Sequence, residues 1–199
     1  MRSRARYHHG DLRAELIATA YDLVRAGGSA ALTTRACATR NGVASSAVFR
    51  HFPDRRSVAT AVAVLGFRYL VCEVQAALSR QDEATTLLTI GAAYLRFALN
   101  EPHLFRLMYS GDEIDPMDPD LMAASVPLLT LTADAAGAAG PDSDATVLSW
   151  AIVHGLATLV LDSQLEGLIP ADRDAKWQRL MAVLNLALPM FDPARRPPV

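Results

Sequence analysis

This 199-residue chain is predicted to be all-α, with about nine helices arranged as a small N-terminal domain over residues 7–55 and a larger helical domain over 56–191. Three observations carry that prediction. Apolar residues recur at spacings of three and four over most of the length, and no strand-like alternation appears. Between residues 33 and 52, two short helical stretches flank Asn41-Gly42, the pattern of a helix, a tight turn and a second helix. Charge is divided unevenly: residues 1–60 hold ten Arg and four acids, so the rest of the chain is acidic although the total is only −2. Such a footprint at one end suits a polyanionic partner.

The first helix should start near Asp11, a reasonable N-cap, and stop at Gly27-Gly28. Leu12, Leu16, Ala20 and Leu23 then form one apolar face, which makes this helix a brace for the two short ones. Thr33 is a fair N-cap for the second helix, in which Ala36, Cys37 and Ala38 are small enough to admit a close neighbour. Asn41-Gly42 suits a left-handed stop. The third helix is expected from about Ser45 to Phe52, with Val43, Val48 and Phe52 turned inward. Ser45, Ser46, Phe49, Arg50 and His51 are left outward. Polar residues at the front of a helix and basic ones behind suit base edges first and phosphates second.

A long helix follows from Arg56 to about Ser79, with Gly66 as its weak point. Gln81-Asp82 should separate it from a helix over 83–100, and Pro102 should open a short one over 103–109. Pro116 and Pro119 mark 110–119 as a loop, and its acids Asp112, Glu113 and Asp115 read as solvated. A helix over 120–136 carries Pro127, which should kink it, and 137–144 is loop again. The last two helices, 145–165 and 172–190, hold more apolar surface than one protomer can cover. They are expected to pack against their two-fold mates as a four-helix bundle. The proline-bearing tail 192–199 should fray.

Other features exclude more than they assign. Arg2, Arg4 and Arg6 read either as a solvated tail or as an arm along DNA, and His8-His9 as a surface pair at the entry to the first helix. Cys37 and Cys72 lie in helical patterns and read as buried thiols of a cytoplasmic protein. No uninterrupted apolar run approaches 18 residues and the arginine-rich start lacks a signal-type apolar run, so neither a membrane span nor export is expected. There is no Gly-rich phosphate loop, no Gly-x-Ser-x-Gly and no Cys/His cluster at metal spacing. Neither an enzyme nor a cofactor is implied.

The stretches YHHGDLRAELIATAYDLVRAGG and LTTRACATRNGVASSAVFRHFPDRRSV together resemble the DNA-binding domain of the TetR family of transcriptional regulators, over roughly residues 7–60 without a gap. The resemblance implies a DNA-facing set of Thr33, Thr34, Arg35, Ser45, Ser46, Ala47, Phe49, Arg50, His51 and Arg55. Arg35 and Ser45-Ser46-Ala47 would reach base edges. Thr34, Phe49, His51 and Arg55 would touch phosphate or sugar. Three departures stand out. Ala44 replaces the usual Ser or Thr cap, at a cost of about 1 kcal/mol. Phe49 replaces Tyr and lacks its hydroxyl. Ala36 replaces Glu, so no capping box forms with Thr33.

Trp150-Ala-Ile-Val-His154-Gly155 resembles the Trp-His-Gly signature of one class of TetR-family C-terminal domains, and residues 92–109 fit the same class more loosely. Trp150 and His154 are four apart and share a helix face. Phe97 and Tyr94 could meet that face, with Phe105, Met108 and Tyr109 closing one end as an effector pocket oriented by His154. Gly155 would admit a close helix. Core packing alone is the competing reading of these residues. The resemblance implies a homodimeric repressor that binds a double-stranded operator and is released by a small-molecule effector. A helical ligand-binding module without DNA binding is the alternative.

Overall fold

The computed structural model describes residues 12–80 and 86–188. The expectations for Asp11 as a cap, the Arg2-Arg4-Arg6 segment, His8-His9, the break at Gln81-Asp82 and the 192–199 tail lie outside those residues. Among the described residues there are nine α-helices, one short 3-10 turn and no strand, apart from an isolated bridge between Glu166 and Ile169.

The head comprises α1 (Leu12–Gly27), the 3-10 turn η1 (Ser29–Ala31), α2 (Thr34–Arg40) and α3 (Ser45–Phe49). Leu16, Ala20, Leu23 and Val24 are buried on α1, the face foreseen from their spacing. α3 is three residues shorter than expected. Phe52 precedes Pro53, and the proline ring disfavours helical backbone at the residue before it.

The spine of the molecule is α4 (Arg55–Leu78), which opens with a reciprocal cap: Asp54 accepts from the Ser57 amide, and the Ser57 hydroxyl accepts from the Asp54 amide. It packs against α1 at one end and against α5 (Thr86–Asn100), α6 (Pro102–Met108) and α7 (Pro119–Ala135) over the rest. Gly66 does not weaken α4. A side chain there would drive into Met108 Sδ of α6 at 2.6 Å, so the glycine lets the two helices touch. Pro127 lies inside α7, which continues past it to Ala135.

α8 (Asp144–Leu161) and α9 (Arg173–Ala187) complete the chain. α8 stops four residues early because the chain turns at Asp162 and Ser163 takes a left-handed conformation, φ 57°. One continuous apolar core runs from Leu16 of the head through Val58–Val74 of α4 to Leu180 and Leu184 of α9. Head and body therefore share a core.

One expectation is corrected here. Cys37 is buried but Cys72 is exposed, on the outer face of α4. Helices α4 and α8 are both long and apolar enough to cross a membrane by length and composition, because scattered polar residues interrupt their apolar runs without lowering the average much. The apolar stretch of α4 is 61% buried and is simply a core helix, whereas that of α8 is 28% buried.

Candidate functional site

At the head, local hydrogen bonds fix the angle between α2 and α3. The Thr33 hydroxyl accepts from the Ala36 amide at 3.0 Å, capping α2. The Asn41 side-chain amide donates to the Thr19 hydroxyl at 2.9 Å and to the Cys37 carbonyl at 2.8 Å, tying the turn to α1. Gly42 follows at φ 65°, where a side chain would be strained. The Val43 amide then donates back to the Ala38 carbonyl. Ala44 offers no side-chain cap, as its methyl dictates. Val48 and Phe52 are buried beneath α3, and the Arg13 guanidinium lies 5.0 Å above the Phe52 ring.

With that frame fixed, Thr33, Arg35, Ser45, Ser46, Phe49, Arg50 and His51 are exposed, and Thr34 and Ala47 are half-buried. Phe49 is 52% exposed. Phe49, Arg50 and His51 thus place an aromatic ring and two nitrogen-bearing side chains side by side at the surface.

Arg55 is half-buried and bonded within the chain. Its guanidinium donates to the Leu32 carbonyl at 2.9 Å, the Ser29 carbonyl at 2.6 Å and Glu113 at 2.7 Å. These bonds brace the head against the start of α4 and the segment before α7. The Glu113 carboxylate also accepts from the Ser29 hydroxyl at 2.7 Å. These bonds hold its pKa below the ordinary value, chiefly through Arg55. Next to it, Arg56 donates to the Ile114 carbonyl and the Asp115 amide donates to the Thr60 hydroxyl, both at 2.9 Å. The segment read as a solvated acidic loop is thus fastened to the first turns of α4. Its partners stand 55 to 84 residues away, a distance no local pattern reports. A second tie joins Arg25 of α1 to Glu101 just before α6.

Deeper in the body, the Tyr94 hydroxyl and His154 Nδ1 are hydrogen-bonded at 2.7 Å. Phe105, Tyr109 and Trp150 surround that histidine with ring centroids 5.5, 4.5 and 5.4 Å away. Burial lowers the His154 pKa, pushes that of Tyr109 up to about 12 and raises that of Tyr94 further. The imidazole is therefore neutral at pH 7 and can either accept from Tyr94 or donate to it, according to tautomer. Met108 packs under Gly66 at the edge of this cluster.

Phe97 is buried, but no ring contact among the described residues joins it to the cluster. Tyr94, one turn earlier on α5, makes the central bond instead. Among the described residues, no heavy atom lies near enough to Gly155 to meet an added Cβ, so no described helix approaches it closely there.

Open space lies on two sides of Trp150. One cavity, of about 20 Å³, is bounded by Tyr94, Ile90, Thr132, Ser149 and Val153 and is about the size of one water molecule. The other, of about 290 Å³, is walled by Phe67, Met108, Tyr109, Leu121, Leu128 and Trp150, with Gly111, Ile114 and Pro116 of the α6–α7 loop over it. Among the described residues no three His, Cys, Asp or Glu side chains converge as metal ligands. On the outside, α8 exposes Val147, Leu148 and Leu159, and α9 exposes Leu186 at 85%.

Comparisons with known proteins agree with this architecture. Residues 87–184 match the family model described as the tetracyclin repressor-like C-terminal domain. A Rhodococcus sp. RHA1 protein of unknown function is 28% identical with a TM-score of 0.70, over 94% of this chain and 97% of that one. A TetR-family transcriptional regulator from Streptomyces coelicolor is 23% identical with a TM-score of 0.59, over 88% and 98%. The TetR-family regulator PfmR from Thermus thermophilus shares the fold at 17% identity with a TM-score of 0.56, over 87% and 96%. No curated protein matches.

Proposed function

We propose that this chain, which belongs to the TetR family of regulators, is a homodimeric, cytoplasmic repressor released from its operator by a small molecule, and not an enzyme. Residues 7–55 act as the DNA-binding head and 56–191 as the effector-binding and dimerising body. The observation that carries the reading is the exposed set on α2, α3 and the turn that follows it. Arg35, Ser45, Ser46, Phe49, Arg50 and His51 stand outward around a turn held by the Thr33 cap and the Asn41 bonds and packed on Val48 and Phe52. Ser45, Ser46 and Ala47 would read base edges with Arg35. Thr33, Thr34, Phe49, Arg50 and His51 would follow the backbone. Arg55 supports the head from behind.

Dimerisation would use the apolar side chains that α8 and α9 leave uncovered, with the open face at Gly155 admitting a partner helix. A two-fold pair supplies the two heads that a palindromic operator requires. Release follows by population shift: an effector that prefers protomers with misplaced heads must weaken operator binding. A preference of about 100-fold corresponds to roughly 2.7 kcal/mol, ample for regulation.

The test is to pass random-sequence duplexes over the full-length protein and sequence what is retained. A palindrome whose half-sites lie about one helical turn apart, or a multiple of it, is expected. Retained duplexes without a common motif, held no tighter than random DNA, would favour the ligand-binding module that does not act on DNA.

A further inference from the structure

The 109–118 loop does two things at once. Its Ile114 side chain is buried, 3% exposed, and forms part of the lining of the 290 Å³ cavity beside Trp150. Its flanking residues hold the head: Glu113 bonds Arg55 and Ser29, the Ile114 carbonyl accepts from Arg56, and the Asp115 amide donates to Thr60. Gly111 and Pro116 of the same loop also line the cavity. A change in the cavity that displaces Ile114 must therefore disturb bonds to η1 and to the start of α4.

The lining also limits what can enter. None of the described residues that line the cavity is charged. An ionised ligand would lose its hydration there without gaining a counter-charge, which disfavours it strongly. Tyr109, Trp150 and Ser125 supply the few polar side-chain atoms, and Phe67, Tyr109 and Trp150 supply ring faces. At about 290 Å³ the space sits at the lower edge of the usual range for ligand pockets.

We propose that this cavity is the effector site, that it takes a neutral, largely apolar, ring-containing molecule, and that the molecule displaces Ile114 and so pulls Glu113 off Arg55 and Ser29. The proposal rests on the effector-controlled reading above and deepens it. The aromatic cluster around His154 forms one wall of the site instead of its interior. Glu113 is a latch: closed, it holds η1 and the entry to α2 in the operator-binding position; open, it leaves them free to move. Because the same closed state binds DNA and excludes the ligand, each ligand must weaken the other by the same factor.

The experiment uses N-phenyl-1-naphthylamine, a neutral apolar diarylamine that accepts excitation energy from tryptophan. In a Trp177→Phe variant, Trp150 is the remaining tryptophan of the two. The probe should quench Trp150 saturably at one site per protomer and weaken binding to a selected operator by about tenfold or more. Ile114→Ala, which removes the plug and leaves Glu113 in place, should raise probe affinity. Glu113→Ala should also raise probe affinity, lower operator affinity about tenfold, and leave the probe little further effect on DNA. Ser29→Ala should do the same more weakly. Unquenched Trp150, or probe affinity unchanged in both Ile114→Ala and Glu113→Ala, overturns the proposal. So does undiminished probe-operator coupling in Glu113→Ala. The quenching and probe-affinity measurements need no DNA, so a failure of DNA binding would count against the proposed function without obscuring whether the cavity and latch exist.

Discussion

The head and the body use aromatic and basic side chains in opposite ways. In the head, Phe49, Arg50 and His51 stand outward at the end of a short helix and in the turn after it, over a core of little more than Val48, Phe52 and the small residues of α2. In the body, Tyr94, Phe105, Tyr109, Trp150 and His154 close on one another around a partly buried hydrogen bond. A surface that reads a rigid external partner needs side chains that folding does not consume, so local caps and turns hold the frame instead. A chamber that admits a small molecule needs walls built by several distant elements. The two are joined where the 109–118 loop meets Arg55.

The largest expected effect breaks the pairing of heads. Replacing Leu148 of α8 with Glu puts a charge into the apolar face proposed for dimerisation. Sedimentation should show monomer at micromolar concentration, and operator affinity should fall by about 100-fold or more as the second half-site is lost. A dimer that survives this change would move the interface elsewhere. Next comes a contrast between two arginines five residues apart. Arg50→Ala should weaken operator binding and reduce the steepness of its salt dependence by about 1. Arg55→Ala should weaken binding too, through loss of its bonds to Leu32, Ser29 and Glu113, while leaving the salt dependence as it was. Equal flattening in both would return Arg55 to the DNA surface.

Smaller effects separate local from long-range support. Thr33→Ala removes the α2 cap and should cost about 1 kcal/mol in denaturant unfolding. Tyr94→Phe deprives His154 of its partner and should cost a similar amount, about 1 kcal/mol, the usual net worth of a partly buried hydrogen bond. The mildest effect is on pH. Burial holds His154 below its ordinary pKa of 6.5, so the unfolded chain takes up that proton first. Stability present above pH 6.5 should decline as pH falls toward the folded-state value. Glu113, held below its ordinary 4.5 by Arg55 and Ser29, adds a second decline only under pH 4.5. Glu113→Gln should remove the lower decline and leave the upper one.

The same contrast explains what could be read from the sequence. The helix-turn-helix is legible because Thr33, Asn41-Gly42 and the inward Val48 and Phe52 act within a few residues of one another. Trp150 and His154 are legible as a pair because four residues make one turn. Spacing alone does not separate Phe97 from Tyr94, and the reason is physical. α5 is buried on nearly every side, from Thr89 to Ala98, so its periodicity cannot select which ring meets α8. The walls supplied by Phe67 and Leu128, and the Glu113 bonds to Ser29 and Arg55, join residues far apart in the chain. A solvated loop is the natural reading of Asp112, Glu113 and Asp115 until the fold brings an arginine to them.

The most direct test of the account is the salt dependence of binding to a selected operator duplex. If each protomer of the dimer neutralises about four phosphates, log affinity should fall against log salt with a slope near −7. That result would tie the basic, exposed end of the molecule to the DNA backbone. A slope near zero, or no duplex held above background at low salt, would contradict the assignment of α2 and α3 as a DNA-binding surface.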